Sequence, residues 1–380
     1  MLEIIKNFLK TQCLNVLRVF KFYRSYSLIP RGEIDFSGLT DIKVLNASEY
    51  QAVKRVSPQT IDAKIYSKFE NLLNDVPQKT FVIEAKNWHV WGNQGAVITN
   101  NAYLLKDVSR EFENPHHSIF KQFKLLPPKL LMGTSAVITT SGADMYYHWM
   151  VDILPRIKLL IDCKLTDQID HYILNYRGIP FQKEALAALN IDISKVSRSN
   201  DHFNYHIIAE SLIIPSLPSK INVVSADACV FLLDTFLDKG TASKFGSRIY
   251  LKRTGKRKLV NQAEIESYLE SLGFESVQCE NYTIAEQASI FYNADVIIGP
   301  HGAAFTNIIF CKPGTKVMEF FSPKWINPCY WTISNEVGLD YYYLVGEGDV
   351  SEVDLNADVL IDISKFKQSV EQFNLILNDR

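Results

Sequence analysis

The chain is defined first by what it lacks. No D-x-D triplet occurs in its 380 residues, which argues against Mg²⁺ or Mn²⁺ held on a bound diphosphate by paired carboxylates. No G-x-x-x-x-G-K-[ST] appears, and no G-x-G-x-x-G follows the first strand of either half. A P-loop kinase and a dinucleotide oxidoreductase are both disfavoured. Cys13, Cys163, Cys229, Cys279, Cys311 and Cys329 are scattered, with no C-x-x-C pair and no zinc spacing. Free thiols in a reducing compartment fit that usage. No run of about 18 apolar residues exists, so no segment reads as a membrane span. The net charge of −2 provides no basic field, and a nucleic-acid partner is not expected. Asn46-Ala-Ser48 and Asn281-Tyr-Thr283 match the glycosylation acceptor pattern, near the chance frequency for this length. These absences point to a cytoplasmic protein.

The length exceeds what one hydrophobic core usually serves, so two domains are expected. Residues 1–28 form a basic amphipathic stretch that either lies on the inner face of an anionic membrane or packs on its own protein. Residues 29–215 mix a hairpin turning at Asn100-Asn101 with strands and helices, an α/β domain. Pro215 to Asn222 reads as the linker. Residues 216–362 alternate strand and helix cleanly, the pattern of a parallel doubly wound sheet. The last amphipathic helix, 363–380, is expected to cross back to the first domain. The fold class is α/β, two Rossmann-like domains facing a cleft.

The most informative stretch is Asp295-Val-Ile-Ile-Gly-Pro-His-Gly-Ala-Ala-Phe-Thr-Asn307. It reads as a buried strand, a glycine turn and a helix start. Unpaired N–H groups and the positive end of a macrodipole there suit a phosphate. An ordinary turn that binds nothing is the alternative, because one glycine turn is a weak motif. Glu319, ending the next strand, could accept hydrogen bonds from a ribose. A second stretch, Arg248 to Asn261, carries Lys252, Arg253, Lys256, Arg257 and Lys258 in the loop after a strand. Such cations can clamp a diphosphate, though most basic loops are merely solvated. The third stretch places His148 and Asp152 four apart on a helix, with Pro155 kinking or ending it and Arg156 on the same side. The pair could act as a tuned general base or be a surface ion pair.

Taken together, Tyr147-His-Trp-x-x-Asp-x-Leu-Pro-Arg156, Tyr250-x-x-Arg253 with Arg257-x-x-x-Asn261, and Gly299-x-His-Gly-Ala-x-x-Thr-Asn307 with Phe310-x-x-Pro-Gly314 and Glu319 resemble glycosyltransferase family 61. That family includes capsular-polysaccharide transferases of bacteria and xylosyl- and N-acetylglucosaminyl-transferases of plants and animals. The resemblance runs over about residues 85–345, and the order of blocks is far more specific than any one of them. It implies a two-domain GT-B architecture, a nucleotide-sugar donor and inversion at the anomeric carbon, in cell-surface polysaccharide synthesis. Asp152, or His148 tuned by Asp152, would be the catalytic base. Arg253, Arg257, Lys252, His301, Gly302, Ala303, Asn307 and Glu319 would bind the donor. The basic block is shorter than the family's usual run, which leaves Arg257 and Lys258 as alternatives for the second arginine. No cofactor or metal is expected beyond the nucleotide sugar itself. The other partner would be a glycan or lipid-linked glycan acceptor. Transfer of another CMP- or CDP-linked unit, or an inactive scaffold in a polysaccharide assembly complex, are the rival readings.

Overall fold

A computed structural model describes residues 29–49, 53–62, 65–74, 79–112, 116–200, 205–238, 240–348 and 353–375. The amphipathic stretch 1–28 lies outside the described residues. Two separate sheets carry the chain. The front sheet has nine strands: β1 (Glu33–Ile34), β2 (Lys43–Glu49), β3 (Lys79–Trp91), β4 (Ala96–Ile98), β5 (Leu104–Leu105), β6 (Lys129–Val137), β7 (His171–Leu174), β8 (Val196–Arg198) and β9 (His206–Pro215). Their order is β1-β5-β4-β3-β9-β6-β7-β8, with β2 also on β3. This sheet is mixed. β3 runs antiparallel to β2, β4 and β9, whereas β9, β6, β7 and β8 are mutually parallel. The expected hairpin is present but turns twice, at Gly92–Gly95 and again at Asn100-Asn101. Short connections of that kind enforce antiparallel pairing, so only half of the front sheet is Rossmann-like.

The rear sheet is all parallel: β10 (Arg248–Leu251), β11 (Glu275–Val277), β12 (Val296–Pro300), β13 (Lys316–Phe321) and β14 (Asp340–Val345), in order β11-β10-β12-β13-β14. Every residue of β12 is buried. A strand covered on both faces reads as an unbroken apolar run, which is why Val296-Ile-Ile298 was legible. Helices 262–271 and 363–372 cover one face with Ile265, Leu269, Phe366 and Val370. The other face meets helices 226–236, 284–292 and 329–337. Thr283 and Glu286 close the capping box at the start of the second of these.

Three connections differ from expectation. The 363–372 helix stays on the rear sheet, with the Phe366 ring 5.2 Å from Phe320 and 5.7 Å from Tyr268. The 215–222 segment is packed rather than free, since Ser216, Leu217 and Ser219 are buried. The chain also visits the rear half early. Gln59 pairs in parallel with Tyr342 on β14, Val56 accepts from the Trp331 indole, and Phe69 stacks on Tyr343 at 4.9 Å. The sequence showed no period there because the segment is an apolar plug without a long element. Phe69 is fully buried. Phe69→Ala should therefore lower the unfolding free energy by about 3–4 kcal/mol in urea titration, the usual result of emptying a ring-sized site.

One apolar cluster joins the halves without a break. It runs from Trp149, Ile153 and Ile157 on the front helix through Ala228 and Leu232 to Phe291 and Ile308 at the rear. The carboxyl ends of β6 and of β12 lead directly into the two candidate site segments.

Candidate active site

Alternation along β10 sets the basic loop. Tyr250 faces the outer cluster, Leu251 the inner one. Continuing the alternation sends Lys252 outward and Arg253 inward. Lys252 accordingly pairs with Glu266 on the outer helix, Nζ to Oε1 2.9 Å. Lys252, expected among the donor-binding residues, thus faces the outer helix, away from the Gly302 turn that Arg253 meets. Arg253 lies against Gly302, so closely that an added Cβ would take the place of its Nη1. Its Nε donates to the Lys256 carbonyl, which folds the loop back over it. Burial, followed by the Arg257 charge, pushes the Arg253 pKa down. Arg257 holds a left-handed backbone at φ 62° and presents a buried Nε with no hydrogen-bond partner. Among the described residues neither Arg253 nor Arg257 forms an ion pair. Two neighbouring cations without an ion-pair partner are the kind of arrangement, a cradle, that can receive an anion. Lys258 is exposed, and its backbone N–H donates to Asp358, whereas the Arg257 charge is the one that acts on Arg253.

The turn after β12 completes the cradle. Ala303–Phe310 is a 3₁₀ helix rather than the α-helix start expected, with Gly302 at its N-cap. The Phe305 N–H closes on the Gly302 carbonyl, while no described backbone carbonyl bonds the N–H groups of Ala303 and Ala304. Gly302→Ala should displace the Arg253 guanidinium and weaken nucleotide binding by about tenfold (~1.4 kcal/mol), with Tm nearly unchanged. Isothermal titration and a melting curve check both halves of that prediction.

His301 points its Nδ1 at Glu319. Tyr341 donates its hydroxyl to the other Glu319 oxygen, and Glu319 is fully buried. Both carboxylate oxygens are therefore occupied, and Glu319 orients His301 instead of meeting a ribose. Asn307 is likewise corrected. Its Nδ2 donates to Gln287 Oε1 at 2.7 Å and to the Ala304 carbonyl at 3.1 Å, while its Oδ1 accepts from the Tyr146 hydroxyl at 2.7 Å. No donor is left for a phosphate. Asn307 instead ties the turn to the front half.

On the front side, residues 146–162 form one helical rod with a π turn at Trp149–Ile153. Pro155 has no N–H and its ring crowds the preceding turn; the wider π turn absorbs both. The helix is therefore neither ended nor cut at Pro155. The π turn also aligns residues four apart more directly than an α turn does. His148 Nδ1 lies 2.7 Å from Asp152 Oδ2. Asp152 Oδ1 accepts from Arg110 Nη1 at 3.2 Å. Asp152 is buried, and no described residue bonds His148 Nε2. This dyad has an unbonded ring nitrogen on the histidine, whereas each carboxylate oxygen of the acid already has a partner. Gly142, at φ 76°, lets the chain pass where a Cβ would strike the His148 ring at 2.6 Å. Arg156 is fully buried and donates to the carbonyls of Thr139 and Pro215. Burial, then the neighbouring Arg110, lowers its pKa to about 9. It locks the helix to the sheet and does not reach the dyad's open side.

Aromatic rings connect the two sides. His148 meets Tyr147 at 5.0 Å between centroids, Tyr147 meets Tyr330 at 5.6 Å, and Tyr330 meets His301 at 5.1 Å. Burial drives the Tyr147 and Tyr330 hydroxyls well above their usual pKa, so both stay neutral. The dyad and the cationic cradle thus flank one aromatic wall. Arg110 and Tyr330 were not anticipated. Arg110 stands alone after the hairpin with no motif around it, and Tyr330 sits in a helix that reads as core.

The arrangement decides how far comparison with known proteins can be taken. Residues 146–318, which span the dyad, the basic loop and the glycine turn, match the family model described as Glycosyltransferase 61. Over that segment, a little under half of its length, the chain is similar to glycosyltransferase family 61. Proteins similar to this chain include the EGF domain-specific O-linked N-acetylglucosamine transferase of Xenopus laevis, 29% identical over 106 residues. That alignment covers 27% of this chain and 20% of the relative. Beta-1,2-xylosyltransferase RCN11 of Oryza sativa subsp. japonica is 33% identical over 79 residues, 21% of this chain and 14% of the relative. Beta-1,2-xylosyltransferase XAX1 of the same plant is 26% identical over 252 residues, 57% of this chain and 43% of the relative. The chain thus spans less than half the length of the curated relatives it matches. Among the described residues no helix is long and apolar enough to cross a membrane.

Proposed function

We propose that this chain transfers a sugar, with inversion, from a nucleotide-sugar donor to a hydroxyl of a glycan acceptor. The observation that carries the reading is a pair of neighbouring guanidiniums without an ion-pair partner among the described residues, Arg253 packed on the turn at Gly302 and Arg257 beside it, across an aromatic wall from His148. The rear half holds the donor's diphosphate through these cations and the N–H groups at 302–304. His148 Nε2 accepts the proton of the attacking hydroxyl. Asp152 fixes the imidazole through Nδ1 and offsets the charge that forms on it. The acceptor oxygen bonds to the anomeric carbon while the bond to the diphosphate breaks. The leaving group takes the electron pair and is neutralised by Arg253 and Arg257. His301, fixed by Glu319, supplies a further polar group at the cradle.

The cations replace the charge that a metal would bring, so activity should survive EDTA. The names of the relatives support xylose and N-acetylglucosamine as the first sugars to try. Incubation with UDP-xylose, UDP-N-acetylglucosamine, GDP-sugars and CMP- or CDP-linked donors, with and without EDTA, tests the reading. Release of nucleotide from a diphosphate-linked sugar in EDTA is the expected result. Strict dependence on Mn²⁺, turnover of a CMP-linked unit alone, or no turnover of any donor would overturn it.

A further inference from the structure

A cavity of about 950 Å³ opens on the front half. Three observations make it more than a surface hollow. The first is its place: Ser216 and Leu217 follow β9, Lys79 begins the antiparallel β3, and all three line it. It therefore lies beyond the carboxyl edge of the parallel strands β6 and β9, where open α/β sheets collect ligands. The second is its connection to the chemistry. Arg110 lines the cavity, and the same guanidinium donates to Asp152 Oδ1 at 3.2 Å and to the Ser219 carbonyl at 2.6 Å. The Arg110 carbonyl also accepts from Ser141, on the turn that leads into the dyad helix. The third is its wall chemistry. Lys106, Lys220 and Arg110 are interleaved with Asp35, Asp107 and Glu111, so neither sign of charge prevails. Phe36 lies flat on Phe81, centroids 4.3 Å apart at 10°, and adds an apolar face at the rim.

We infer that this cavity binds the acceptor as a neutral oligosaccharide, with Arg110 as the positioning residue that joins it to Asp152. This rests on the transferase reading above. Sugar hydroxyls can donate to the carboxylates and accept from the lysines, while C–H faces pack on the Phe36 ring. A polyanion would meet the acids, and an apolar ligand would strand the charges. The volume admits several sugar units and falls within the range of small-molecule sites. Arg110 is the lining residue that contacts the dyad, through Asp152.

Saturation-transfer NMR with xylotetraose, cellotetraose, maltotetraose and chitotetraose tests the inference. At least one should bind the full chain. Ser37→Trp, which fills the exposed rim, and Ile221→Trp, on the opposite lip, should each weaken that binding about tenfold or more. Two variants guard against misfolding of either one, and their melting curves should match the unmodified protein. Equal affinity in both well-folded variants, or no binding of any tetrasaccharide, overturns the inference. A separate thermal-shift arm with UDP and GDP reports on the donor cradle. Its failure would sink the transferase reading, whereas the tetrasaccharide result speaks to the cavity alone.

Discussion

Arg253→Ala lowers kcat/KM by about 3 kcal/mol, more than a hundredfold, if Arg253 meets charge that grows as the diphosphate departs. The structure sharpens what to expect beyond that figure. Arg253 packs on Gly302 and its Nε holds the Lys256 carbonyl, so the side chain is already placed before any donor arrives. Its loss should therefore reduce kcat more than it raises KM. Arg253→Lys should recover only part of the effect, because an ammonium cannot match the planar fork on two phosphate oxygens. Arg257→Ala should be similar in kind. Relief of the repulsion between the two guanidiniums offsets some of each single loss but is gained only once, so the double variant should lose more than the sum of the single effects. Steady-state rates at saturating acceptor, with donor varied, separate these outcomes. Near-normal turnover by Arg253→Ala would remove the cradle from the mechanism.

His148→Asn should cost about 10²–10⁴ in kcat, the range for removal of a positioned general base. Asp152→Asn should cost a comparable or smaller factor, because it leaves the imidazole in place without its charge partner. The ordering matters. Asp152 has one oxygen on His148 and the other on Arg110, and it is buried. Direct proton abstraction by Asp152 would require it to abandon one of those partners. Donor hydrolysis by water provides the internal control, since a cradle that still binds should still protect the protein thermally in both variants. A larger defect in Asp152→Asn than in His148→Asn would reverse the two roles.

Much of this was readable from the residues. The rear sheet was legible because its strands are short apolar runs punctuated by Gly299, Gly302, Gly314 and Gly338, with helices between them. The His148–Asp152 pair was legible from its spacing, and Arg253 from its place after a strand. The roles of Glu319 and Asn307 were not. Each is a polar residue at a motif position, and sequence cannot show whether its hydrogen bonds point at a ligand or at Tyr341, Gln287 and Tyr146. Lys252 and Arg253 differ only in strand parity, which decides that one meets Glu266 and the other Gly302. The make-up of the front sheet was harder to read, since an antiparallel meander and parallel strands share one sheet without any compositional border. The early visit of 53–74 to the rear half was hidden for a related reason. Its contacts with Trp331, Tyr342 and Tyr343 are about 275 residues away along the chain, and no local pattern encodes them.

Titration calorimetry of UDP and GDP in EDTA, on the unmodified chain and on the double variant Arg253→Ala with Arg257→Ala, tests the central claim most directly. The prediction is metal-free binding of a nucleoside diphosphate that weakens by at least about tenfold in the double variant. Equal affinity in the two proteins, or binding that appears only when Mn²⁺ is restored, would contradict it.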